Sequence, residues 1–357
     1  MLLRKSSIFT FCLLLLTGCL ETEIVDDINI ETVEGFDLLE GENVMGTLLI
    51  PIYKADKSIS NETFSAEANL NKDLLSELQK KSSAPIVNGS LEVVLFNKDL
   101  AEKGVLKLID ALQRDASIGT GLYLAIVDGQ VKEMLGGNYG TEGTGSYLSN
   151  MIKHNIERRD LPATNLHIFL SDFYQKGKDT NLPYLTLKDG KIAILGAVVM
   201  QEDKLATIVP NEKLFYFKFL VDEYTDGSVS IELPGKEEFL SLKSIHTKRK
   251  VKVKSINNEP HFDIHLQLDG VIREYSGGKV DPKKLKKFQK AVEEDLEKNS
   301  LELIKSFQQD KVDPVGFGYE AKTRIRGFDF KKWEEQYPNV KIKVTSEVRI
   351  IGTGITE

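Results

Sequence analysis

The chain is poor in cysteine, with Cys12 and Cys19 the only two thiols in 357 residues, and it holds a single tryptophan. Two thiols cannot build a disulfide-dense scaffold or a four-thiolate zinc site. No run of about 20 apolar residues is present, so no segment is long enough to span a bilayer as a helix. Positive charge is not in excess. The 47 Lys and Arg against 54 Asp and Glu leave a net charge of −7, with only 8% aromatic residues. That balance argues against a general nucleic-acid binder. The remaining composition, 41% hydrophobic and 28% charged, is that of a folded chain and excludes wholesale disorder. The length suits about two domains.

Catalytic signatures are equally scarce. There is no Gly-x-Ser-x-Gly elbow and no His-Glu-x-x-His pair. Of the five histidines, only His261 and His265 cluster, in His261-Phe262-Asp263-Ile264-His265. On an extended strand these three polar side chains share one face at about 7 Å spacing. A metal ion could sit there; the simpler reading is the solvated face of an amphipathic strand. Residues 136–145 carry five glycines in ten positions. No Lys-Ser/Thr follows, and the segment does not run directly from a strand into a helix, so a loop is favoured over a phosphate cradle. Carboxylates are plentiful, yet none is singled out as a hydrolase pair.

What the sequence does contain begins at its N-terminus. Arg4 and Lys5 precede the run Ile8 to Leu16, in which Thr10 is the one plainly polar residue. Leu16-Thr17-Gly18-Cys19 follows, and then Glu21 and Glu23. A basic start, a short apolar run, small residues and a polar exit make an export signal. The tetrapeptide resembles the bacterial lipobox. Cleavage after Gly18 removes a signal peptide of residues 1–18 and leaves Cys19 to carry acyl chains such as palmitate. Each buried acyl CH₂ contributes about 0.8 kcal/mol, so two or three chains hold a protein at a membrane. Loss of Arg4 and Lys5 lowers Lys and Arg to 45 against 54, a mature charge of −9.

The mature chain is expected to be α+β and multi-domain, with an N-terminal region at 19–205 and a C-terminal domain at 206–357. Ser90 to Phe96 and Gly121 to Val127 read as buried strands joined by a helix capped at Asn97 or Asp99, a βαβ unit. Asn71 to Lys81 reads as a helix with Leu74, Leu75 and Leu78 on one face. A second helix starts at a Thr164 cap. Tyr184 to Leu187 and Ile192 to Met200 form a hairpin about Asp189-Gly190. Asn211 to Leu220 reads as a short aromatic helix. In the last third, antiparallel strands surround one long helix that starts at Asp281-Pro282. Lys250, Lys252 and Lys254 alternate with valines, so one face is solvated. Anionic lipid headgroups and protection of a strand edge are the two roles such a row suits.

Several stretches resemble the Ger(x)C family, the lipoprotein C subunit of nutrient germinant receptors of spore formers. They are Leu91 to Leu135, Leu161 to Leu187, Lys191 to Lys204, and Asp281 to Gly318 ending in Asp313-Pro314-Val315-Gly316-Phe317-Gly318. Trp333 and Val340 to Gly352 complete the match. Leu20-Glu21 stand where many members place Trp-Asp. The resemblance implies a non-enzymatic subunit without a cofactor, on the outer face of the spore's inner membrane. Its partners there would be a multi-pass A subunit and a transporter-like B subunit. The alternative is a lipid-anchored solute-binding protein that captures the germinant itself.

Overall fold

Strand β6 (Val93–Asn97) is buried at every position, as its continuous apolar sequence requires of a central strand. The computed structural model describes residues 27–41, 43–69, 74–222, 226–233, 235, 237–256 and 259–353. The elements around β6 are β1 (Asn29–Ile30), β2 (Val33–Leu38), β3 (Asn43–Tyr53), β4 (Ile59–Asn69), α1 (Leu74–Gln79) and β5 (Ile86–Val87). After β6 come α2 (Lys98–Lys103), α3 (Leu106–Arg114), β7 (Tyr123–Asp128), α4 (Val131–Leu135), α5 (Thr144–Arg158) and α6 (Leu166–Tyr174). Strands β8 (Asn181–Lys188), β9 (Lys191–Gln201) and β10 (Lys204–Pro210) close an eight-stranded sheet of order β10-β9-β8-β7-β6-β2-β3-β4. Its centre is parallel, from β2 through β6 and β7 to β8, and its flanks are antiparallel.

Alternation along the central strands feeds two layers of helices. Val94 and Phe96 pack with Leu100, Ile109 and Phe169 from α2, α3 and α6. Val93 and Leu95 pack on the other face with Met134, Leu148 and Ile152 from α4 and α5. The connection from β6 to β7 is two helices rather than one. Gly104 has φ 124 and ends α2, and Asp203 from the β9–β10 turn accepts the Leu106 N–H at 3.0 Å. Asn97 does cap α2, accepting from Leu100 N at 3.0 Å. The cap of α6 is Asn165, not Thr164; the Thr164 hydroxyl instead donates to the Asn181 carbonyl. On α1, Leu78 is buried with Leu48 and Ile50, whereas Leu75 is 37% exposed and takes no part in that face.

The C-terminal elements are α7 (Leu214–Val221), β11 (Ser228–Glu232), β12 (Phe239–Ile256), β13 (Glu259–Tyr275), α8 (Pro282–Asp310), α9 (Phe317–Arg324), α10 (Phe330–Gln336) and β14 (Ile342–Thr353). They build a sheet of order β11-β12-β13-β14. Pairing is antiparallel except between β13 and β14, which run parallel. The long passage through α8, α9 and α10 returns the chain to the sheet end where β13 began, and so allows that direction. Asp281 caps α8 at its Lys283 and Lys284 N–H groups, with Pro282 in the first turn. Phe288, Val292, Leu296 and Phe307 of α8 pack on the inward row of β13, Phe262, Ile264, Leu266 and Leu268.

This core also takes Ala197 and Val199 of β9, whose neighbours Val198 and Met200 belong to the N-terminal core. Strand β10 crosses the expected junction at 205/206 while pairing with β9. Among the described residues, no helix is long and apolar enough to cross a membrane.

Candidate functional site

Cys19 lies outside the described residues. The glycine-rich segment 136–145 is a tied loop. The Thr144 hydroxyl donates to the Gly137 carbonyl at 3.2 Å and accepts from the Asn61 amide at 2.9 Å. Asn61 also donates to Asn138 Oδ1 at 2.8 Å. A Cβ on Gly145 would lie 2.4 Å from Thr32 Oγ1, so this glycine serves close packing. Thr144, the first residue of α5, is thus engaged by the protein itself through its hydroxyl and its N–H, which donates to Asn61 Oδ1 at 3.3 Å.

The halves of the chain meet through two buried polar clusters. In the first, Asp313 accepts from the N–H groups of Gly316, Phe317 and Gly318 at 2.9, 3.0 and 2.7 Å. Asp179 accepts from Asp313 N at 2.6 Å, and its own N–H donates to the Asp313 carbonyl. Burial pushes the Asp313 carboxyl up to about 7 and that of Asp179 up to about 6. Beside them, Gly177 presses on Gly318. A Cβ at Gly177 would sit 2.6 Å from backbone atoms of Gly318 and Tyr319.

The second cluster surrounds Lys218 of α7, a lysine only 2% exposed. Its ammonium donates to the carbonyls of Ile156 and Arg159, where α5 ends, at 2.5 and 2.8 Å. Asp222 accepts from Ala163 N at 2.7 Å. Burial pushes Lys218 down to about 8, while Asp222 and Asp160 pull the other way. Neither cluster was predicted from the sequence. The Asp313 to Gly318 stretch stood out only through its family resemblance, and the lysine was one of many.

The third feature is the outward face of the C-terminal sheet. Register places Lys252, Asp263 and Lys343 in one row across β12, β13 and β14, and Lys250, His265 and Thr345 in the next. Lys254 pairs with Asp263 at 2.5 Å. That hydrogen bond, with the fields of Lys343 and Lys252, holds the Asp263 carboxyl below the usual range. His265 Nδ1 lies 3.2 Å from Thr345 Oγ1. His261 and His265 therefore belong to a solvated face, and among the described residues no group of three or more His, Cys, Asp or Glu could hold a metal ion. Lys250, Lys252, Asp263, Ile264, His265, Lys343 and Thr345 line a shallow depression of about 360 Å³, in which Lys254 pairs with the Asp263 carboxylate.

Comparison with known proteins decides the family. Residues 21–187 match the spore germination protein N-terminal domain, and residues 195–354 match the spore germination B3/GerAC-like C-terminal domain. The chain is 30% identical to spore germination protein GerQC of Bacillus cereus, covering 99% of this chain and 100% of that one. The chain belongs to the Ger(x)C family. Spore germination protein KC of Bacillus subtilis (strain 168) is a more distant relative, 23% identical over 82% of this chain and 79% of its own length. The crystal structure of the GerBC protein shares the fold with a TM-score of 0.57, at 15% identity, covering 89% of this chain and 96% of that one. The mixed, two-domain α+β architecture is thus that of the Ger(x)C fold. The two family segments meet within 188–194, at the β8–β9 hairpin.

Proposed function

We propose that the chain is a membrane-anchored, non-enzymatic subunit of a nutrient germinant receptor. The observation that carries this is similarity to a spore germination protein along 99% of the chain. In this reading residues 1–18 are removed and Cys19 carries the lipid, on the outer face of the spore's inner membrane. The N-terminal region 19–205 and the C-terminal domain 206–357 act together, joined through β10. The partners are a multi-pass A subunit and a transporter-like B subunit, and the complex triggers germination when nutrient is detected. The lipobox ordering at Leu16-Thr17-Gly18-Cys19 supports the anchor.

Deletion of the gene in a strain without paralogues should abolish the response to specific nutrients and leave non-nutrient germination intact. A normal response to every nutrient would overturn the proposal. Cys19→Ala should leave an unlipidated chain that no longer partitions with membranes in a strain lacking the partner subunits. The solute-binding alternative requires a nutrient to bind the isolated protein, which calorimetry tests.

A further inference from the structure

Strands β12 and β13 present alternate residues to opposite sides, and the helices that meet this sheet contribute to the core on its inward side. Among the described residues the outward side is open where Lys248, Lys250, Lys252, Lys254 and Lys343 are exposed. On that side Lys250, Lys252, Lys254 and Lys343 occupy three consecutive rows that hold one carboxylate, that of Asp263, while Glu259 stands in the row toward the β12–β13 turn and Glu347 in the row beyond, beside Lys248. The four lysines are exposed. This concentration runs against the charge of the whole chain, which is −7. At physiological salt the Debye length is about 8 Å, so a partner at this face meets the local lysines and not the distant acidic surface.

We propose that this face docks flat on an anionic lipid surface, the depression between Lys250, Lys252 and Lys343 receiving a headgroup phosphate. The inference rests on the membrane-anchored reading above and adds an orientation to it. Three features favour a lipid surface. The cations are all lysines, mobile point charges suited to a fluid array of phosphates rather than one fixed fork. They rise from β12 and β14, on either side of β13, and so form a patch rather than a line. The chain has no net attraction for anionic membranes, so the patch supplies what its overall charge withholds. Edge protection accounts for lysines on a strand, but it predicts no response to lipid composition.

The test uses the full lipidated protein reconstituted on vesicles of phosphatidylcholine alone or with phosphatidylglycerol. Acetylation of each lysine is followed by mass spectrometry. Lys250, Lys252 and Lys343 should be modified about fivefold more slowly on the anionic vesicles at low salt, and the protection should vanish at high salt. The triple variant Lys250→Gln/Lys252→Gln/Lys343→Gln should also lose protection at Lys254, while keeping its thermal midpoint. Equal labelling on both vesicles would overturn the inference. So would protection that arises only when an acidic protein partner is added. If the protein fails to sediment with phosphatidylcholine vesicles, the Cys19 anchor fails, and lysine protection on anionic vesicles still decides the orientation.

Discussion

Replacing Asp313 with alanine should change the stability of the protein by an amount that depends steeply on pH. In the folded chain the carboxyl takes three backbone N–H groups and is 6% exposed. Alanine leaves the Phe317 and Gly318 N–H groups buried without acceptors, at about 1–2 kcal/mol each and roughly 3 kcal/mol together, whereas the Gly316 N–H keeps the backbone carbonyl of residue 313 at 3.2 Å. The same substitution removes a carboxyl that folding holds at about 7 against an ordinary 3.8. A carboxyl raised in the folded state binds its proton more tightly there. Its contribution to stability is therefore full below about pH 4, falls as pH rises through about 7, and is flat above. At about 1.4 kcal/mol per pH unit the wild type gives up roughly 4 kcal/mol across that window, and the variant gives up none of it. The gap between the two should close by roughly 2–3 kcal/mol between about pH 5 and pH 8. Urea midpoints of both proteins across that range measure it. Asp179 titrates nearby in both and largely cancels. A gap that is constant, or that widens with pH, would refute the account of Asp313 as a buried, donor-held carboxyl.

The Lys218→Met variant should behave in the opposite sense. Lys218 is lowered to about 8 by burial, so the wild type gains stability as pH rises from about 8 to 10.5, and the variant should lack that gain. Parallel urea midpoints over that range would contradict this. Gly177→Ala should lower stability by about 3 kcal/mol, from a backbone at φ 91 and a Cβ forced against Gly318, and a thermal melt within a degree of wild type would count against the close approach.

Much of the fold was legible because it is local. The β6–β7 unit, the Asp189-Gly190 hairpin and the Asp281-Pro282 helix start follow from apolar runs, turn residues and caps within a few positions of each other. The misreadings came from distance. Nothing near Gly104 says that Asp203 will cap the next helix from across 97 residues, and so the helix read as one piece. Strand direction is not written in alternation, so β14 gave its inward residues but not its parallel pairing. The lysines of β12 were visible as a row, whereas their company with Lys343 needed the register of a strand about 90 residues away. Asp179 and Asp313 meet over 134 residues, and two aspartates far apart carry no local signal that they share a burial site.

Strand β9 hands its odd residues, Ala197 and Val199, to one interior and its even ones, Val198 and Met200, to another. Sliding it by a single position would turn each set to the wrong side and empty both interiors together. The register of that strand is therefore fixed from two directions. Any displacement imposed on one half must then reach the other as a tilt of the whole hairpin, a stiff hinge pin rather than a slipping belt.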